Sequence, residues 1–439
     1  MGGASFTSGS DALSTPRMPA SVYHETKARL HRALRDLYLC VASPIDGPAK
    51  TTFGDIDIVV AWPRAEILGL PPPPALAATR ADADAAFSEI GRAIGAERTA
   101  VEKGMRAAHY AIPWPPHLLH HHHGGGDEPL YIQVDVRICA SLRAFQWFLF
   151  KHAHGDLWNV LGSTIRPLGL TVDEEALWLR VPEIEGINRS RAKVRVTGEP
   201  GRVLEVLGLE DGRVWEEPFA TEEGMYEYAA TSPMFWVRPL GEDEGGSRVE
   251  GDKRALKAND RKRMSMRPCY RRWVEEFLPR CREEGRFAAP RASRSSVAEL
   301  IFDRFGSVRG EFEERRREFE IEQQQNDIWK NRIKGFVDGL GPLDVGGGAD
   351  RERTYRGCLV RALKRIVLEG DGRYGVMPEK ELRGRDGRFI MENVVEFIEG
   401  SYRALGDAAM GMHDETYVEM LRSGGSKRKK GDVEGEAGG

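Results

Sequence analysis

The sequence predicts an α+β protein, a small mixed sheet flanked by helices and followed by a mainly helical region. Three observations carry that expectation. Two stretches, KTTFGDIDIVV (Lys50–Val60) and LYIQVDVRIC (Leu130–Cys139), alternate residue types at the period of a strand. Runs with apolar residues at helical spacing stand before, between and after them. From Ser141 onward helical spacing dominates, so helices follow the sheet rather than alternating regularly with it.

In chain order, the polar start MGGASFTSGSDALSTP, with no apolar signal core and no myristoylation pattern, reads as a disordered leader over 1–20. SVYHETKARLHRALRDLYLC has helical spacing as far as Cys40. A loop rich in Pro, Gly and Thr then leads into the strand that holds Asp55 and Asp57 and ends near Trp62. GLPPPPALAATR is a stiff connector, ADADAAFSEIGRAIGA a helix and RAAHYAIPW a strand. The His-rich stretch PPHLLHHHHGGGDEP reads as a solvated loop. Asp135 lies on the strand that follows. LRAFQWFLFKHA, LWNVLGSTIRPLGL, GRVLEVLGL and EEGMYEYAA are helical in pattern, whereas EALWLRVP and AKVRVTG suit a small hairpin. PLGEDEGGSRVEGDK marks a linker.

The expected domains are thus a core over 21–140 with a long insert at about 64–128, and a mainly helical domain over 141–240 that completes a cleft. A linker at 241–255, a helical region over 256–422 and a disordered tail over 423–439 follow.

Composition limits the function classes. A chain of 439 residues has length for roughly two or three cores. With 64 Lys and Arg against 68 Asp and Glu, the net charge of −4 makes any nucleic-acid surface a local patch. The five cysteines form no C-x-x-C pair, which points to free thiols in a reducing, intracellular compartment, cytoplasmic or nuclear. No apolar run reaches membrane-spanning length, so no membrane partner is expected. The oligomeric state is open.

The two aspartates sit where a buried strand wants valine or isoleucine. In an extended chain Asp55 and Asp57 project to one face and Ile56 and Ile58 to the other. Like charges that close repel, unless one takes up a proton or a divalent cation sits between them. A solvated edge-strand face explains the pattern equally well. Asp135, between Val134 and Val136, repeats the context on a second strand.

The order of these features, a helix leading to VAS with Ser43, the Gly47–Gly54 loop, GDID and later VDV, resembles the DNA polymerase beta-like nucleotidyltransferase superfamily, which includes poly(A) polymerases and CCA-adding enzymes. GPAKTTFGDIDIVV and LGSTIRPLGL with ALWL are also similar to parts of nucleotidyltransferase-like proteins. The resemblance covers roughly Ser21 to Arg180. It departs at Ala42, where the family usually has glycine, and in the long stretch from Asp57 to Asp135.

The resemblance implies a nucleotidyltransferase-fold core in which Asp55, Asp57 and Asp135 are both catalytic and metal-binding, holding Mg²⁺ or Mn²⁺. An acceptor hydroxyl would then attack the α-phosphate of an NTP and release pyrophosphate. Ser43 would bind phosphates, with Lys50, Thr51, Gly54 and Arg166 as further nucleotide contacts. An RNA end is the first-choice acceptor, a protein side chain or small molecule the second. A catalytically inactive scaffold of the same fold is the reading from another class. The basic segment NDRKRMSMRPCYRRW suits either a nucleic-acid face or a cationic helix surface.

Overall fold

The structure, a computed structural model, describes residues 5–68, 80–121, 129–210, 212, 216–237 and 263–428. The linker expected at 241–255 and the histidines at 122 and 123 lie outside these residues. The chain divides into two compact units, Met1–Gly310 and Glu311–Gly439.

In the first unit the elements run β1 (Met18–Pro19), α1 (Ala20–Arg35), β2 (Tyr38–Ala42), β3 (Thr52–Phe53) and β4 (Asp55–Pro63). Next come α2 (Arg64–Ile67), α3 (Arg80–Ile94), β5 (Arg98–Val101), β6 (Ala107–Pro113) and β7 (Tyr131–Cys139). They are followed by α4 (Leu142–His152), α5 (Leu157–Ile165), β8 (Leu170–Val172), β9 (Leu177–Arg180), α6 (Pro182–Glu185), β10 (Lys193–Thr197) and α7 (Pro200–Leu207). The fold is α+β.

Five strands form the main sheet in the order β2-β4-β7-β6-β5. Only β4 and β7 run parallel; the other neighbours are antiparallel. On one face Ile56, Ile58 and Val60 of β4 and Val134, Val136 and Ile138 of β7 pack under Leu30 and Leu34 of α1 and Phe87, Ile90 and Ile94 of α3. The other face is covered only in part. Val59, Ala61 and Cys139 are sealed by Phe145 of α4, with Leu142, Phe148 and Leu149 at the margin. Asp55, Asp57 and Asp135 lie on that same face, outside this apolar cluster, and Asp57 is exposed.

Three expectations are corrected here. The helix expected to reach Cys40 stops at Arg35, and Tyr38–Ala42 becomes a strand paired with Val59–Pro63. Helical spacing in Tyr38–Cys40 gives way to ladder hydrogen bonds that a lone helical turn cannot match. The supposed insert at 64–128 contributes α3, β5 and β6, two of them strands of the main sheet. The leader is ordered from Ser5: Phe6 is buried, the Ser5 N–H donates to Gln133 Oε1 at 2.9 Å, and β1 pairs with β3.

Residues 141–240 carry helices together with a three-stranded sheet, β10-β9-β8, in which the expected hairpin of β9 and β10 forms. The first unit then continues well past 240. The Tyr226 hydroxyl donates to the Cys269 carbonyl at 2.6 Å, the Arg272 guanidinium pairs with Glu222, and Arg294 reaches Glu185 at 2.7 Å. Buried Trp273 stacks on Phe277 with centroids 4.8 Å apart.

The second unit has a helical core of its own, in which Tyr355, Leu359, Leu363 and Ile366 of helix Gly348–Glu369 meet Val394, Ile398 and Leu405 of helix Met391–Arg428. That last helix runs into the stretch expected to be a disordered tail; residues 429–439 lie outside the described ones. Among the described residues no helix is long and apolar enough to cross a membrane.

Candidate active site

The parallel pairing of β4 with β7 sets the site. Asp57 stands directly opposite Asp135, and Asp55 opposite Gln133. Neighbouring strands lie about 4.8 Å apart, so three carboxylates share one small patch of a single face. Asp57 makes no hydrogen bond or ion pair among the described residues, and its carboxyl is pushed up to about 7. Desolvation is the largest cause, followed by the negative charges of Asp55 and Asp135. Solvent reaches the side chain, yet the protein crowded around it strips much of its hydration.

Asp135 is held differently. Its Oδ1 accepts from His109 Nδ1 at 2.7 Å and from Gln133 Nε2 at 2.9 Å. The second ring nitrogen, Nε2 of His109, lies 3.0 Å from Glu102 Oε1. A carboxylate oxygen beside each ring nitrogen favours the doubly protonated ring of His109. The bond to Asp135 is the main cause of its raised pKa. Oδ2 of Asp135 has no hydrogen bond among the described residues and remains available. His109 comes from β6, placed opposite Asp135 by the antiparallel register.

The three acids share a face without closing a cage. Among the described residues no three His, Cys, Asp or Glu side chains are arranged to hold a metal ion as they stand. The donor chemistry nevertheless suits a hard divalent cation: an unpartnered carboxylate, a second two residues away, and a third with one free oxygen.

No family model matches the chain, and no curated protein does either. Among solved structures the chain is similar to Leishmania infantum polymerase beta in a ternary P/T complex, with 15% identity over 45% of this chain and 76% of that one and a TM-score of 0.31. It is similar to the same polymerase in a ternary gap complex, with 15% identity over 45% of this chain and 70% of that one and a TM-score of 0.30. Superpositions of this size assign no activity to the chain.

The other sequence candidates divide into those near the acids and those elsewhere. Ser43 follows β2, and its hydroxyl lies 2.8 Å from His31 Nε2. Lys50 stands 3.7 Å from Asp46 and 4.7 Å above the Phe53 ring, and its charge reaches Asp57. Thr51 is exposed and Gly54 buried at the mouth of β4. Arg166, by contrast, ends α5. Its N–H donates to the Gly162 carbonyl at 3.3 Å, and its guanidinium lies where a side chain on Gly162 would stand. Asp173 takes Lys193 as its partner at 2.8 Å.

Sequence reasoning missed several neighbours. Tyr23, Lys27 and His31 recur every fourth residue and line one face of α1 toward the loop 43–50. Tyr23 and Lys27 bond Asp46, and His31 bonds Ser43. That polar stripe was a usable signal. His152, which the sequence marks as a helix-end residue and which does end α4, stacks on Phe148 at 4.2 Å, lies 3.2 Å from Glu174 and acts electrostatically on Asp57.

The basic segment at 259–273 is described from 263 onward. There Arg267 pairs with Asp156 at 2.7 Å, Arg271 with Glu275 at 4.0 Å and Arg272 with Glu222, which is the pattern of a braced cationic helix.

Proposed function

We propose that the open acidic face performs metal-dependent nucleotidyl transfer from an NTP to a hydroxyl acceptor, with an RNA end as first choice and pyrophosphate as the leaving group. Asp57 carries this reading. A carboxylate without a hydrogen bond or ion pair among the described residues, opposite one acid and two residues from another, is an unfavourable arrangement that a bound cation relieves. Asp55 and Asp57 would hold Mg²⁺ or Mn²⁺ from β4, and Asp135 would add Oδ2 from β7. Bound there, the cation would neutralise charge on the transferring phosphoryl group and acidify the attacking hydroxyl.

The chain's own residues supply position. His109 and Gln133 fix Asp135 through Oδ1 and leave Oδ2 without a bond among the described residues. Lys50, whose charge reaches Asp57, and Ser43, which follows β2, would receive the phosphates beyond the one attacked. Five free cysteines suit a reducing compartment, cytoplasmic or nuclear.

One observation favours a second reading. The clamp of His109 and Gln133 on Asp135 lets that acid be stable with no metal, as a catalytically inactive scaffold would require. Incubation with each labelled NTP, Mg²⁺ or Mn²⁺ and a panel of RNA, protein and small-molecule acceptors separates the two. Transfer by the wild type that Asp57→Asn abolishes, with circular dichroism unchanged, supports the enzyme. No transfer under every condition leaves the scaffold.

A further inference from the structure

Beside the acids lies a cluster with opposite character. The Asp46 carboxylate receives the Tyr23 hydroxyl at 3.0 and 3.1 Å, the Lys27 ammonium at 3.2 Å and the Lys50 ammonium at 3.7 Å. Two stacked rings form its floor. Tyr23 and Phe53 lie 3.7 Å apart and nearly parallel, with Lys27 4.6 Å from the first centroid and Lys50 4.7 Å from the second. The cations are therefore held by ring faces as well as by Asp46, and they would keep their places if that carboxylate left.

Three donors from two separate elements, α1 and the loop before β3, converge on one small anion. Tyrosine hydroxyl and lysine ammonium groups are equally good donors to phosphate oxygen. Asp46 sits on a loop whose backbone is fixed by other contacts: the His154 N–H donates to the Ile45 carbonyl at 2.8 Å, and Gly47 lies against Gly155. Rotation of the Asp46 side chain alone would empty the seat. The seat borders the acidic face, because Tyr23 feels the charges of Asp57 and Asp55, and Asp57 that of Lys50.

We propose that Asp46 is a built-in substitute for a phosphate, filling a polyphosphate seat formed by Tyr23, Lys27 and Lys50 until an incoming anion displaces it. The seat would take the terminal phosphates of a nucleoside triphosphate or free polyphosphate, and Asp46 would weaken binding by competing for the same donors. This rests on the nucleotidyl-transfer reading only for the identity of the natural ligand. The anion seat itself needs no metal.

The test uses the full chain, with inorganic tripolyphosphate as probe, in EDTA at low salt, by isothermal titration calorimetry. Asp46→Asn removes the competing charge and keeps the shape, so tripolyphosphate should bind about 10-fold more tightly than to wild type. Lys27→Gln should bind about 10-fold more weakly, and the double variant should return toward wild type. Unchanged or weakened binding by a folded Asp46→Asn protein overturns the proposal. If that variant unfolds, Lys27→Gln decides alone, and wild-type affinity there is equally fatal. Asp57→Asn separates the two readings: loss of transfer with tripolyphosphate binding retained speaks for both, while transfer without metal-free anion binding removes only the seat.

Discussion

Replacing Asp57 by asparagine should stabilise the metal-free protein at pH 8. The reason is the carboxyl's rise from the usual 3.8 to about 7. A folded-state pKa above the unfolded value means that the protonated form suits the fold, so stability is greatest below about 4 and falls as the pH climbs through 7. At roughly 1.4 kcal/mol per pH unit the rise amounts to about 4 kcal/mol. Solvent reaches the side chain, so screening reduces this, and about 1–2 kcal/mol is the working figure. Asparagine has nearly the same shape and no charge to lose. Thermal unfolding in EDTA, followed by circular dichroism, should place the variant about 2–6 °C above wild type at pH 8. At pH 4 the two should coincide. Equal midpoints at pH 8, or a less stable variant, would refute the claim that lost hydration and the neighbouring acids together disfavour a charge on Asp57.

Magnesium gives the complementary measurement: added at pH 8, it should raise the wild-type midpoint and leave Asp57→Asn nearly unmoved, and an equal effect on both would argue against binding at these acids. His109→Gln should destabilise the protein at pH 6 by about 1–3 kcal/mol, since one nitrogen loses its bond to a carboxylate. Because the His109 pKa is raised above 6.5, its contribution is whole below that value and fades as the pH rises through the folded one, so the deficit should shrink by pH 9. Ile58→Ala, in the core under α1 and α3, should cost about 2–4 kcal/mol in chemical denaturation without affecting the acids. Gly208→Ala should cost about 1–3 kcal/mol, because φ is +64° and a Cβ would lie 2.6 Å from the Pro233 ring.

The acids were legible because strand alternation has one reading: Asp55 and Asp57 had to share a face, and Asp135 had to be on a strand of similar make. Their opposition was not legible, since register is set by pairing between segments far apart in sequence. Strand β2 was lost to local spacing, as Tyr38–Cys40 extends the helical pattern of α1 and becomes part of a strand only through β4. Strands β5 and β6 were read as part of an insert because proline and histidine tracts surround them, and His109 went unnoticed with them. Asp46 went unremarked in the Pro-, Gly- and Thr-rich loop, because its partners Tyr23 and Lys27 lie on a helix face far back in the chain.

The edge of α4 divides one strand between two kinds of selection. At Val59 and Ala61 any substitution is judged by volume and polarity, whereas two residues earlier, on the same side, the proposed transfer would judge it by what a carboxylate does for a ligand. Saturation mutagenesis along β4 should therefore change its profile abruptly between 57 and 59. A variant library scored separately for folding and for activity would trace that border residue by residue.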